Sequence, residues 1–80
     1  MSRGKVVKAF GNLLHVLFEG NIRQGEVAMV KLGDLLLKGE VIEIADREAK
    51  VQVFEDTRGV KLDTLVVFDS HLLEAELGPG

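Results

Sequence analysis

The sequence has 80 residues, which is one domain or less, with a core that buries roughly 60–65% of the unfolded chain's surface. Its 10 Lys and Arg face 13 Asp and Glu for a net charge of −3, with the signs interspersed; that excludes a large phosphate-binding face and a polybasic membrane anchor, both of which need clustered cations. Cysteine is absent, so no disulfide or thiolate–metal cluster supplements the core.

Taken in chain order, glycines punctuate short runs rich in Val, Leu and Ile, a strand pattern. Gly4 precedes Lys5-Val6-Val7-Lys8-Ala9-Phe10, and Gly11-Asn12 reads as a turn or bulge. Leu13 to Phe18 follows, with Leu14, Val16 and Phe18 on one face and Leu13, His15 and Leu17 on the other. Glu19-Gly20-Asn21 is a polar break, Gly25 opens Glu26 to Lys31, and Gly33-Asp34 ends that run.

The longest run, Leu35 to Ala45, changes phase: Leu35, Leu37, Gly39 and Val41 share one face while Ile42 and Ile44 fall on the other. A bulge or sharp bend near Gly39, or burial of both faces, is expected. Asp46-Arg47-Glu48 reads as a tight turn, Ala49 to Phe54 alternates, and Asp56 to Gly59 is a turn with a positive φ at its glycine. Leu65-Val66-Val67-Phe68 reads as a short strand buried on both faces. Ser70 to Leu77 fits a helix N-capped by Ser70 or an alternating strand, and Gly78-Pro79-Gly80 stops either. Six or seven short strands make the chain all-β, and closure into a small barrel is the economical way to remove their edges.

Little in the chain carries chemistry. Gly4-Lys5 lacks the second glycine and the hydroxyl of a phosphate-binding loop. His15 and His71 lie too far apart for a zinc pair, and read as a strand-face histidine and a turn histidine. Ser70 beside His71 has no nucleophile elbow around it and reads as a polar turn residue. The carboxylate pairs Glu55-Asp56 and Glu74/Glu76 lack the cleft that would separate their pKa values, so a solvated turn and a solvated strand face are the plainer readings. No catalytic, cofactor-binding or metal-ligating residue is therefore expected. Trp and Tyr are absent, which leaves base stacking poorly provided for. No apolar run reaches the ~20 residues that span a bilayer, and Met1 to Lys8 holds no signal-peptide core, so a cytoplasmic domain is expected.

Three stretches are more specific as a set: Arg23-Gln24-Gly25-Glu26-Val27, Val53 to Gly59, and Leu72 to Gly80. With the opening Gly4-Lys5-Val6-Val7 and with Gly11-Asn12-Leu13-Leu14, they make the chain resemble the N-terminal domain of the catalytic A (alpha) subunit of V-type ATPases and ATP synthases, in the bacterial branch. Gln52 to Gly59 matches the family's Gln-Val-Tyr/Phe-Glu-Asp/Glu-Thr-x-Gly, and Leu77-Gly78-Pro79-Gly80 matches its Leu-Gly-Pro-Gly.

The resemblance implies a closed six-stranded β-barrel over 1–76, with 77–80 beginning the linker to further domains, and it favours a strand for the last run. It implies a crown of barrels in a hexamer where A subunits alternate with neighbouring B subunits, at the end away from the membrane. In that arrangement the barrel has no direct membrane contact, and the complex is peripheral to a membrane. The Mg-ATP site would lie beyond Gly80, so no cofactor is expected in these residues. The isolated barrel is expected to be a monomer or to self-associate weakly. Two alternatives stand beside this reading: an independent nucleic-acid-binding barrel, which wants a basic stripe, and an engineered scaffold derived from the domain.

Overall fold

The Val-, Leu- and Ile-rich runs form six strands: β1 (Ser2–Phe10), β2 (Leu13–Glu19), β3 (Glu26–Leu32), β4 (Leu35–Ala45), β5 (Glu48–Val53) and β6 (Leu65–Leu72). A computed structural model describes residues 2–72. All pairings are antiparallel, and the strands close into a barrel in the order β1-β2-β5-β4-β3-β6. The seam is β1 against β6, from Ser2 opposite Phe68 to Lys5 opposite Leu65. The next loop extends it, with Val6 N–H donating to the Thr64 carbonyl (3.0 Å) and Asp63 N–H donating to the Val6 carbonyl (2.7 Å).

Three connections are two-residue hairpins, Gly11-Asn12, Gly33-Asp34 and Asp46-Arg47. Each has a positive φ at its first residue: 59° at Gly11, 62° at Gly33 and 56° at Asp46. A left-handed residue there matches the twist of the flanking strands. Asp46 takes this conformation without glycine's freedom, as aspartate tolerates better than most residues. The expected three-residue turn is thus two residues long, and Glu48 already belongs to β5.

The phase change in β4 is a bulge, and it lies beyond Gly39. Val41 pairs with Val51 and Glu43 with Lys50, leaving Ile42 as the extra residue. Leu37, Gly39 and Val41 face in, Ile42 turns out at 37% exposure, and Ile44 packs against the core. Gly39 serves another end: a Cβ on it would lie 2.7 Å from the Gln52 carbonyl oxygen, so a side chain is excluded by the neighbouring strand. A second bulge falls between Val6 and Lys8 in β1.

The interior is filled by inward residues of all six strands, mostly valine: Val6, Leu14, Val16, Phe18, Ala28, Val30, Leu37, Val41, Ala49, Val51, Val53, Val66 and Phe68. Phe18 and Phe68 meet edge to face, ring centroids 6.2 Å apart. Each such valine, leucine or phenylalanine side chain contributes about 1.5–3 kcal/mol by leaving water.

β6 differs from expectation in two ways. Leu65-Val66-Val67-Phe68 is buried on one face only, since Leu65 is 40% exposed and Val67 half-buried. The strand also continues through Ser70 and His71 to Leu72, so the expected turn there is absent and a helix beginning at Ser70 is ruled out. The remainder of the last run, Gly78-Pro79-Gly80 and the 76/77 boundary lie outside the described residues.

Gly39→Ala should lower the unfolding free energy by about 1–3 kcal/mol through overpacking against a backbone carbonyl. Gly33→Ala, with open space around it but a positive φ, should lose about 1 kcal/mol. Urea denaturation of the two variants checks the order, and equal losses would contradict the close approach at Gly39.

Candidate functional site

Because the interior is packed with side chains, any site must lie on the outer wall or at the barrel's ends. On the wall, successive strands set residues directly opposite one another. Lys8 of β1 faces His15 of β2, which faces Lys50 of β5, which faces Glu43 of β4. His15 Nδ1 lies 3.1 Å from Glu48 Oε2, and Lys50 Nζ lies 3.3 Å from Glu43 Oε1. A carboxylate only accepts, so Nδ1 carries the proton of this hydrogen bond. The Phe10 ring stands edge-on to His15 with centroids 5.4 Å apart.

These residues surround a dent of about 90 Å³ lined by His15, Glu43, Ala45, Glu48 and Lys50. A small-molecule pocket usually holds about 300–1,000 Å³. Larger grooves of about 620 and 430 Å³ flank the Asp46-Arg47 hairpin, but they are open surface bordered by Leu17 and by Phe18 to Gly20, with no converging set of nucleophile, base and donor. No group of three or more His, Asp or Glu placed to hold a metal ion occurs among the described residues.

The other sequence candidates are dispersed. Gly4 faces the β2 backbone, where a Cβ would strike the Leu17 carbonyl oxygen, and Lys5 points out beside Asp63 at 3.7 Å. Ser70 and His71 lie in β6, and Glu74 and Glu76 lie outside the described residues. Glu55 and Asp56 are exposed in the loop after β5. Asp56 there accepts from the Arg58 side chain (Nε, 2.9 Å) and the Arg58 backbone N–H (3.0 Å), which together hold its carboxyl below the ordinary value of 3.8. Thr57 donates its hydroxyl to the Gly11 carbonyl at 2.7 Å, tying the Glu55–Gly59 turn to the β1–β2 hairpin.

Glu26 is the residue that sequence reasoning passed over. It is 4% exposed, the buried charged side chain among the described residues. Its Oε1 accepts from Arg23 N–H (2.8 Å), and its own N–H donates to the Arg23 carbonyl (3.1 Å). Gly25 N–H donates to the Val41 carbonyl (2.7 Å), so this closed loop is anchored on β4. The carboxylate organises backbone at the entrance to β3, which is a structural task. The sequence signal was the position after Gly25, whose φ of 91° turns the chain back on itself.

The chain is similar to known proteins over nearly its whole length. The family described as ATP synthase alpha/beta family, beta-barrel domain, matches residues 4–69. The V-type ATP synthase alpha chain of Protochlamydia amoebophila (strain UWE25) is 70% identical over 79 residues, covering 99% of this chain and 13% of the relative. The proteins of the same description in Chlamydia pneumoniae and Chlamydia caviae are 61% and 60% identical, with the same coverage. The chain thus spans 13% of the length of these relatives.

Glu26→Ala should cost about 1–3 kcal/mol, because it removes the acceptor of the part-buried Arg23 N–H, while Glu26→Gln keeps an acceptor and should cost less; thermal unfolding of both variants checks this. For Asp56 the folded pKa is depressed, so its interaction with Arg58 is present above the unfolded value of 3.8 and is lost as pH falls through the lower folded value. The Arg58 amide resonance should therefore titrate with a midpoint below 3.8, and a midpoint at or above it would contradict the geometry.

Proposed function

From a chain that belongs to the ATP synthase alpha/beta family as its β-barrel domain, we propose an assembly domain of the alpha (A) subunit of a V-type ATP synthase. The observation that carries this is the match over residues 4–69 to a family defined by this barrel. The geometry is consistent with it, since the outer wall among the described residues presents a shallow dent and open grooves beside exposed side chains. In this reading the barrel joins neighbouring subunits, B subunits alternating with A in a hexameric crown. The Mg-ATP site and the catalytic residues belong to other parts of the subunit. The complex is peripheral to a membrane, and the barrel does not touch the bilayer. No helix long and apolar enough to cross a membrane occurs among the described residues.

An oligonucleotide-binding role has weaker support, because the barrel's cations are interspersed with acids. Two measurements test the assembly reading. An alpha subunit lacking the barrel should fail to form the ring with its partner subunits on native gels or by mass photometry, while its nucleotide-binding part stays folded; normal ring formation would sink the proposal. Calorimetric titration of the 80-residue chain with Mg-ATP should show no binding, and micromolar affinity would place a nucleotide site in the barrel after all. Salt-sensitive binding of single-stranded RNA in a gel shift would favour the other role.

A further inference from the structure

β1 runs to Phe10, but its pairing with β6 ends where Lys5 meets Leu65. β3 runs to Leu32, and its pairing with β6 ends where Val30 meets Val66. β6 begins only at Leu65, so among the described residues no strand fills the gap between the far ends of β1 and β3. Two edges are left at that end of the barrel: residues 7–10 on the side away from β2, and Lys31 and Leu32 on the side away from β4. An edge of this kind is a template for another chain.

The connection from β5 to β6, residues 54–64, runs through this gap. Backbone bonds fix both of its ends. Phe54 N–H donates to the Lys38 carbonyl (3.0 Å), and Asp63 N–H donates to the Val6 carbonyl (2.7 Å), while the Thr64 carbonyl accepts from Val6 N–H (3.0 Å). Between these points the connection meets both edges. The Thr57 hydroxyl donates to the Gly11 carbonyl, one residue past the end of β1 (2.7 Å). Gly59 lies against the end of β3, where a Cβ on it would be 3.7 Å from Leu32 Cδ2. Val60 and Leu32 both pack against the core.

The connection also holds a shape of its own. Asp56 accepts from the Arg58 side chain and backbone, which brackets Thr57 between them. Val60 N–H donates to the Thr57 carbonyl (3.0 Å), and the Thr64 hydroxyl accepts from Lys61 N–H (3.0 Å) and donates to the Lys61 carbonyl (2.6 Å). Positive φ at Gly59 (97°) and Asp63 (72°) keeps the segment from extending into a seventh strand. Its middle is largely exposed, with Leu62 at 62%. A segment bonded within itself, fixed at its ends and thinly attached between them has the make-up of a unit that opens locally.

We propose that residues 55–62 are a strap that opens as a unit between Phe54 and Asp63, latched by the Thr57 hydroxyl, and that the closed strap keeps the residue 7–10 edge of β1 from pairing with the same edge of a second copy. Antiparallel pairing of one segment with its own copy is two-fold and needs no other surface. The β1 edge is the one at risk, because it is the longer of the two and ends at Phe10, 60% exposed. The inference goes beyond the assembly reading and does not depend on it.

The test is amide hydrogen exchange of the 80-residue chain by NMR, with sedimentation over a dilution series. The amides of Val60 and Lys61 should exchange faster than those of Val16 and Val51 in the core strands. Thr57→Val, which removes one hydrogen bond, should speed Val60 and Lys61 together by about three- to tenfold and leave Val16 and Val51 unchanged. Thr57→Ser keeps the donor and should restore the original rates. With the latch gone, Thr57→Val should self-associate more strongly than the parent and Thr57→Ser, broadening the resonances of Lys8, Ala9 and Phe10. Should Thr57→Val fail to fold, Arg58→Ala, on a side chain 90% exposed, must change exchange and association in the same directions. Strap amides exchanging no faster than the core, core amides accelerated equally, an opened strap without added association, or broadening on strands other than β1 would each overturn the assignment. None of these results bears on ring formation by the barrel-deleted subunit, so the two readings fall separately.

Discussion

Everything in this molecule depends on the sheet closing on itself. The β1–β6 seam is short, Ser2–Lys5 against Leu65–Phe68, and the Asp63 and Thr64 backbone bonds to Val6 lengthen it. Closing it satisfies the edge hydrogen bonds of both strands, which an open sheet would present to other chains. Closure also requires curvature, and the chain supplies it at two bulges, Val6/Lys8 in β1 and Val41/Glu43 in β4. Gly4 and Gly39 then allow strands to approach where a Cβ would meet a backbone carbonyl.

A closed six-stranded wall leaves an interior just wide enough for side chains. Valines and the Phe18–Phe68 pair fill it, and among the described residues the interior is apolar side chain rather than cleft. Polar groups are pushed to the outer wall and the loops, where they make short ties: His15 to Glu48, Thr57 to Gly11, Asp56 to Arg58. Function is thereby confined to surfaces. Membership of the ATP synthase alpha/beta family bears on the question of what covers those surfaces.

Much of the fold was legible because hairpins are local. Gly11-Asn12 and Gly33-Asp34 each sit between two alternating runs, and the residues opposite follow from the turn length alone. Leu14, Val16 and Phe18 were assigned to one face by alternation, and that face is the buried one. The phase conflict in Leu35 to Ala45 was visible too, but its location was not. A glycine marks either a bend or a close approach, and at Gly39 it marks the latter while Ile42 absorbs the extra residue. Glu26 was missed for a similar reason: its burial is matched by one backbone donor, Arg23 N–H, that the Arg23–Gly25 loop brings to it, not by its own neighbours' polarity.

The sequence by itself determined the class, the hairpins at Gly11-Asn12 and Gly33-Asp34 and the family, since each rests on patterns of residues close together in the chain. Which side of each strand faces water was decided only by the tertiary structure. Burial of Val66 and Phe68, with Leu65 and Val67 outside, follows from β6 lying between β1 and β3, a pairing of residues more than thirty-five positions apart. The four-residue apolar run in β6 reads the same whether one face is covered or two. Only closure of the barrel shows that its outer face stands uncovered beside Met29.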